Sequence, residues 1–187
     1  MLPTPSTEHV SFDTIYEPSE DSYLFLDTLS SRSESEWLFD RFNSASTSTT
    51  PLVVEVGTGS GVVLAFVAAN SHEIFGRRDI LTLGTDVNRN ACRATRATVL
   101  TAIQERQAAA PLKSVHIASV LGDLCTPLRP HSVDVLLFNP PYVPTEELPR
   151  LPLVTEQEAE AEAAAEPLSR TAKFERDSYY LSLTVES

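Results

Sequence analysis

The chain has 187 residues, a length that suits one domain with its own hydrophobic core. It carries 14 Lys and Arg against 26 Asp and Glu, and the net charge of −12 argues against a broad basic surface and so against stable nucleic-acid binding. Two cysteines without a CxxC pair argue against a zinc site and a disulfide framework, and no apolar run is long enough to span a membrane. We therefore expect a single domain over residues 1–187, located in the cytoplasm and also in the nucleus.

Residues 12–29 predict a loop that leads into a helix. A polar, Pro-interrupted stretch comes first, and apolar side chains then recur at roughly helical spacing, at Tyr23, Leu24, Leu26 and Leu29. A further apolar patch, 37–42, predicts that the helix continues to about Phe42. The Ser- and Thr-rich run 43–51 predicts a polar loop.

Strand and helix patterns alternate in the middle of the chain. Apolar, β-branched runs predict four strands, and runs of helix formers predict helices after the first two of them. This alternation is typical of a doubly wound, mostly parallel α/β sheet, and the near-continuous apolar fourth run predicts a strand covered on both faces. The predicted strands are 52–56, 80–83, 115–120 and 133–138, and the predicted helices are 62–69 and 88–103.

The C-terminal part has a different composition. Glutamates alternate with alanines between Pro152 and Pro167 and leave no apolar face to bury, so we expect a flexible acidic insert over residues 146–170. Residues 179–185 alternate as a strand does.

Three glycines lie between the first strand and its helix. Gly57, Gly59 and Gly61 would let the backbone approach a ligand closely, and the start of the helix offers free N–H groups. The spacing differs from the dinucleotide fingerprint, because Val62 stands where that motif has glycine or alanine. Glu55, just before the loop, instead suits a ligand that presents an amine or a hydroxyl.

The second and third strands each end in a carboxylate. Because ligands of open parallel sheets lie beyond the carboxyl ends of the strands, Asp86 and Asp123 should converge with Glu55 and Gly57 on one crevice. Asp86 is placed to accept two ribose hydroxyls, and Asp123 with Leu124 to bind an exocyclic amine and flank a purine. Either aspartate alone would also suit a cap or a turn.

The fourth strand ends in Asn139, Pro140, Pro141 and Tyr142. The prolines fix the backbone and remove donors, which leaves the Asn139 side-chain carbonyl and the Pro140 carbonyl as acceptors, while Tyr142 adds an aromatic face. Two fixed acceptors beside a flat ring suit a planar NH2 group. We therefore predict Asn139, Pro140 and Tyr142 as the catalytic residues.

These motifs together resemble a known family. The glycine loop with its acidic residue, the two aspartates and Asn-Pro-Pro-Tyr, in this order, resemble class I S-adenosylmethionine-dependent methyltransferases with a Rossmann-like fold that modify planar nitrogens. The segment Tyr16-Glu17-Pro18-Ser19-Glu20-Asp21-Ser22 is similar to the HemK-type glutamine methyltransferases, in particular the eukaryotic branch that acts on the class I translation release factor.

The resemblance implies N5-methylation of the glutamine in the Gly-Gly-Gln motif of the release factor. It implies S-adenosylmethionine as the cofactor and a small zinc-binding activator subunit at the edge strand Val115–Val120. It also implies that the cofactor is contacted by Ser22, Glu55, Gly57, Asp86, Asp123, Leu124 and Asn139, with Asn139 binding the substrate amide as well.

Two alternatives stay open. Asn-Pro-Pro-Tyr also suits an adenine-N6 methyltransferase acting on DNA or RNA, which would need a surface that grips phosphates. Members of the family continue past this motif with further strands of a seven-stranded sheet, where this chain has an acidic insert. The second alternative is therefore a truncated, non-catalytic form that lacks the last strands and binds the activator.

Overall fold

The computed structural model describes residues 2–43, 45 and 48–140, which lie within one unit that ends at Pro140. The predicted acidic insert, the alternating segment 179–185 and Tyr142 lie outside these residues, and the single-domain expectation stays a prediction. The helices and strands are α1 Glu20–Ser30, α2 Arg32–Phe42, β1 Leu52–Val56, α3 Val62–Ala69, α4 Ser71–Phe75, β2 Leu81–Asp86, α5 Arg89–Gln107, β3 Val115–Leu121 and β4 Val135–Phe138.

Two helices occupy the region where the sequence predicts one continuous helix. Ser31 has an extended backbone, with φ −65° and ψ 147°, and separates α1 from α2. Its hydroxyl accepts a hydrogen bond from the Glu34 N–H at 3.4 Å, so Ser31 caps the second helix. Serine is a favoured N-cap because its oxygen satisfies an N–H that has no partner within the helix. The prediction of one helix was therefore wrong at Ser31, although the end at Phe42 was right.

The four strands form one parallel sheet in the order β3-β2-β1-β4. The chain builds outward from β1 to β3 and then returns to place β4 on the other side of β1. This is the order at which doubly wound folds open a crevice beyond the carboxyl ends of the strands. The predicted parallel α/β fold is confirmed, and β3 lies at one edge of the described sheet.

Helix α3 forms the centre of the hydrophobic core. All eight of its residues are buried, and it packs against α1, α5, β1 and β2. Its sequence, Val-Val-Leu-Ala-Phe-Val-Ala-Ala, has no polar face, which is typical of a helix enclosed on every side. The helix thus anchors the glycine loop directly in front of it. None of the described helices is long and apolar enough to cross a membrane.

Strand β4 is not covered on both faces, as its sequence predicted. Leu137 is buried, whereas Leu136 and Phe138 are 53% and 45% exposed. The central strand β1 has the expected double coverage, because Val53 and Val54 point to opposite faces and are both fully buried. The prediction was wrong because β4 lies at the outer side of the described sheet, where an apolar run does not guarantee a second layer.

Candidate active site

The glycine loop has left-handed backbone at three positions. Gly57, Gly59 and Gly61 have φ values of 68°, 51° and 77°. A Cβ atom at Gly57 or Gly59 would meet nothing within 4 Å, but one at Gly61 would lie 2.5 Å from the Cα of Thr95. The first two glycines therefore leave open space in front of the loop, and the third permits close packing of α3 against α5.

Asp86 fastens the glycine loop from the end of β2. One carboxylate oxygen accepts a hydrogen bond from the Gly59 N–H at 2.9 Å, and the other accepts one from the Asn88 N–H at 2.8 Å. Burial raises the pKa of the Asp86 carboxyl, although these hydrogen bonds oppose the shift. The Thr58 hydroxyl and the Val87 N–H also donate to this carboxylate, so the hydroxyls of a ligand would share its two oxygens with these donors.

Glu55 points into the protein rather than toward the open space in front of the loop. Its side chain accepts a hydrogen bond from the Leu64 N–H in the first turn of α3 at 3.0 Å, and only 3% of the residue is exposed. Burial raises the pKa of the Glu55 carboxyl well above its usual value, and the nearby Asp86 charge adds to this. The prediction that Glu55 contacts the cofactor has no support in this position, because alternation along β1 turns its side chain toward the helix.

We expect the stability of the chain to fall with rising pH because of Glu55. The folded state holds the Glu55 proton above the pH at which the unfolded chain releases it, so the free energy of unfolding should decrease as the pH rises above the usual pKa of a glutamate. A Glu55→Gln variant should flatten this decrease in urea unfolding, with the remaining slope due to Asp86. Identical slopes for the two proteins would contradict the assignment.

Leu124 lies beyond the end of β3 in a strained conformation. Its φ of 47° is unusual for a side chain of this size, and its carbonyl accepts a hydrogen bond from the buried Thr85 hydroxyl at 2.9 Å. The Leu124 side chain is 54% exposed, and the neighbouring Asp123 is exposed as well. Backbone strain of this kind is concentrated at ligand sites. Asp123 and Leu124 are thus accessible to a ligand, as their predicted role requires.

Asn139 follows β4 directly beside the glycine loop. Parallel pairing sets Phe138 opposite Val56, so the next residues along the two strands, Asn139 and Gly57, leave the sheet side by side. The Asn139 Nδ2 donates a hydrogen bond to Asp21 Oδ2 at 2.8 Å. Asp21 lies in the first turn of α1, next to Ser22, and both residues are half-buried. Pro140 is exposed, and Tyr142 falls outside the described residues.

The sequence did not assign Asp21 to the site. The acidic residues in the motif that ends at Ser22 were the available signal, but they could not show which carboxylate reaches Asn139. The four strand ends together bring a glycine loop, Asp86, Asp123 with Leu124, and an Asn139–Asp21 pair to one edge of the sheet.

A surface cavity between α2 and α4 lies away from this edge. It is lined by Ser35, Glu36, Phe39, Asp40 and Glu73. Two of its carboxylates are in ion pairs, Glu36 with Arg32 and Glu73 with Arg106. We therefore place the candidate active site at the strand ends and not in this cavity.

Comparisons with known proteins identify relatives of the chain. No family model matches it. The methyltransferase HEMK2 of Mus musculus is 36% identical over 150 residues, which cover 77% of this chain and 58% of the relative. The eRF1 methyltransferase catalytic subunit mtq2 of Schizosaccharomyces pombe is 30% identical over 149 residues, 78% of this chain and 59% of the relative. The chain is similar in sequence to these two methyltransferases over about three quarters of its length.

A bacterial relative and one solved structure share less sequence identity with the chain. The release factor glutamine methyltransferase of Bradyrhizobium diazoefficiens is 28% identical over 131 residues, 67% of this chain and 38% of the relative. The N-terminal domain of human METTL16 in complex with SAH is 18% identical, with a TM-score of 0.39 over 80% of this chain and 51% of that chain. The chain spans little more than half the length of the HEMK2 and mtq2 proteins that it matches.

Proposed function

We propose that this chain transfers the methyl group of S-adenosylmethionine to the side-chain nitrogen of a glutamine in the Gly-Gly-Gln motif of a class I translation release factor. The observation that carries the proposal is the Asn139 amide, fixed by Asp21 at the end of β4 and next to the glycine loop. The names of the relatives support it, because all of them are methyltransferases, one is named for eRF1 and another for the glutamine of a release factor.

The residues at the strand ends fit the proposed cofactor. Open space in front of Gly57 and Gly59 would accept it against the backbone, and the Asp86 carboxylate beside the loop would accept from its ribose hydroxyls. The exposed Leu124 would flank its base and Asp123 would accept from the base amine, while Ser22 lies on the Asn139 side of the crevice. Bound there, S-adenosylmethionine supplies an electrophilic methyl group.

In the proposed mechanism the protein positions the substrate and does not become covalently modified. The Asn139 Oδ1 and the Pro140 carbonyl would accept hydrogen bonds from the two amide protons of the glutamine. These contacts would aim the nitrogen at the methyl group and raise its electron density. The nitrogen–methyl bond would form as the sulfur–methyl bond breaks, and the methylated nitrogen, now acidic, would release one proton to water. Such positioning alone is worth effective molarities of about 10⁵ M or more in well-oriented reactions. Tyr142 is proposed to flank the plane of the amide.

The acidic charge of the chain favours a protein substrate over a polynucleotide. A net charge of −12 opposes the phosphate contacts that an adenine-N6 methyltransferase needs to hold an extruded base. The proposal can be tested by labelling with methyl-tritiated S-adenosylmethionine in the presence of release factor, release factor whose Gly-Gly-Gln glutamine is replaced by alanine, and DNA. Label should enter only the first. Label in DNA, or in the alanine variant at an equal rate, would contradict it.

We also propose that a small zinc-binding activator subunit binds at β3, the edge strand of the described sheet, and the composition of this strand supports the proposal. β3 carries no charged residue, and Val115 and Ile117 are each 52% exposed. Thr82 pairs with His116 and Leu83 with Ala118, which leaves Ile117 as a bulged residue without a partner on β2. An uncharged, apolar edge strand is suited to pairing with a strand of another protein.

An Ile117→Lys variant should bind the activator at least about tenfold more weakly, because a charged side chain would replace an apolar contact at the interface. Titration calorimetry with the purified zinc-binding subunit measures this. Since Ile117 is half exposed, the circular dichroism spectrum should not change, and unchanged affinity would remove β3 from the interface. Activator binding without methyl transfer by the wild-type complex would instead favour a non-catalytic role.

A further inference from the structure

The pair formed by Asp21 and Asn139 joins residues that are 118 positions apart in the sequence. Asp21 Oδ2 accepts from the Asn139 amide at 2.8 Å, and Asp21 Oδ1 accepts from the Ser19 hydroxyl at 2.5 Å. The Ser19 and Asn139 hydrogen bonds lower the pKa of the Asp21 carboxyl, so it is ionised at neutral pH.

The ionised Asp21 carboxylate determines the orientation of the Asn139 side-chain amide. It can only accept hydrogen bonds, whereas an asparagine presents a donor on one side and an acceptor on the other. With Nδ2 bound to Asp21, the Oδ1 atom of Asn139 must point away from the carboxylate. A flipped amide would place two acceptor oxygens against each other and lose the hydrogen bond.

We propose that Asp21 is a positioning residue, which holds the Asn139 amide so that its oxygen, and not its nitrogen, faces the substrate. The inference rests on the proposed function and adds a source of selectivity to it. An outward oxygen accepts from the NH2 group of glutamine, and it repels the carbonyl side of the same amide and the carboxylate of glutamate. Asp21 thereby determines that the substrate nitrogen is the atom presented for methylation.

The test is a double-mutant cycle on the full chain with its activator. Asp21→Asn removes the acceptor-only character at nearly constant shape, and we expect kcat for release factor to fall about tenfold with little change in KM. Asn139→Ala should lower kcat about 100-fold. Because Asp21 acts through Asn139, the double variant should match Asn139→Ala within about twofold. Asp27→Asn, at an exposed site on the same helix, is the matched control and should keep the wild-type kcat.

A second measurement does not depend on turnover. In nuclear magnetic resonance spectra, the side-chain NH2 signals of Asn139, assigned by their loss in Asn139→Ala, should shift in Asp21→Asn and stay unchanged in Asp27→Asn. Losses in kcat that multiply in the double variant, or Asn139 signals that do not move, would overturn the positioning role and leave the proposed function intact. A wild-type complex that does not methylate release factor would overturn both.

Discussion

Replacing Asn139 with alanine should slow methyl transfer into release factor by about 100-fold or more, the size of effect seen when one precisely placed polar group is removed from an active site. The substitution removes the oxygen that would accept from the substrate NH2 and leaves the Asp21 carboxylate without its amide donor. Initial rates at saturating S-adenosylmethionine, with the activator present, measure the effect.

Ser132→Ala provides the control for Asn139→Ala. Ser132 is exposed and precedes β4, so it lies at the opposite end of that strand, where its hydroxyl donates to the Arg129 carbonyl. Its replacement should leave the rate near that of the wild type. A rate near wild type for Asn139→Ala as well would remove Asn139 from the mechanism.

Alanine at Gly61 should destabilise the chain by about 3 kcal/mol or more, which is a large part of the stability of a typical domain. The new Cβ would lie 2.5 Å from the Thr95 Cα, and the residue would have to keep a φ of 77°. Overpacking in a core costs roughly 1–3 kcal/mol and left-handed backbone at a residue with a Cβ costs roughly 1–2 kcal/mol more. The free energy of unfolding in urea measures this loss.

Gly57→Ala is the matched variant for Gly61→Ala. It has a similar φ of 68° but open space around the new methyl group, so it should cost only about 1–2 kcal/mol. Its main expected effect is weaker binding of S-adenosylmethionine, measured by calorimetry, because the methyl group would occupy the space in front of the loop. Equal unfolding energies for the two variants would contradict the packing role assigned to Gly61.

Local sequence patterns predicted the strands, the glycine loop and the parallel sheet, because period and turn chemistry are properties of neighbouring residues. The contact between Asp21 and Asn139 could not be predicted in this way, since it depends on how α1 packs beside the end of β4. The direction of the Glu55 side chain could not be predicted either, because the alternation along β1 does not show which face of the strand is turned toward a ligand. The break at Ser31 was missed because serine is tolerated inside helices as well as at their ends.

Helix α3 is buried along its whole length, and this has a consequence for how the loop in front of it responds to a ligand. Its backbone amides are expected to exchange hydrogen only when the whole unit opens, because no face of the helix can be released separately. A molecule that binds the loop of the folded protein, and not the unfolded chain, would therefore stabilise the whole unit against unfolding. Its binding would raise the melting temperature.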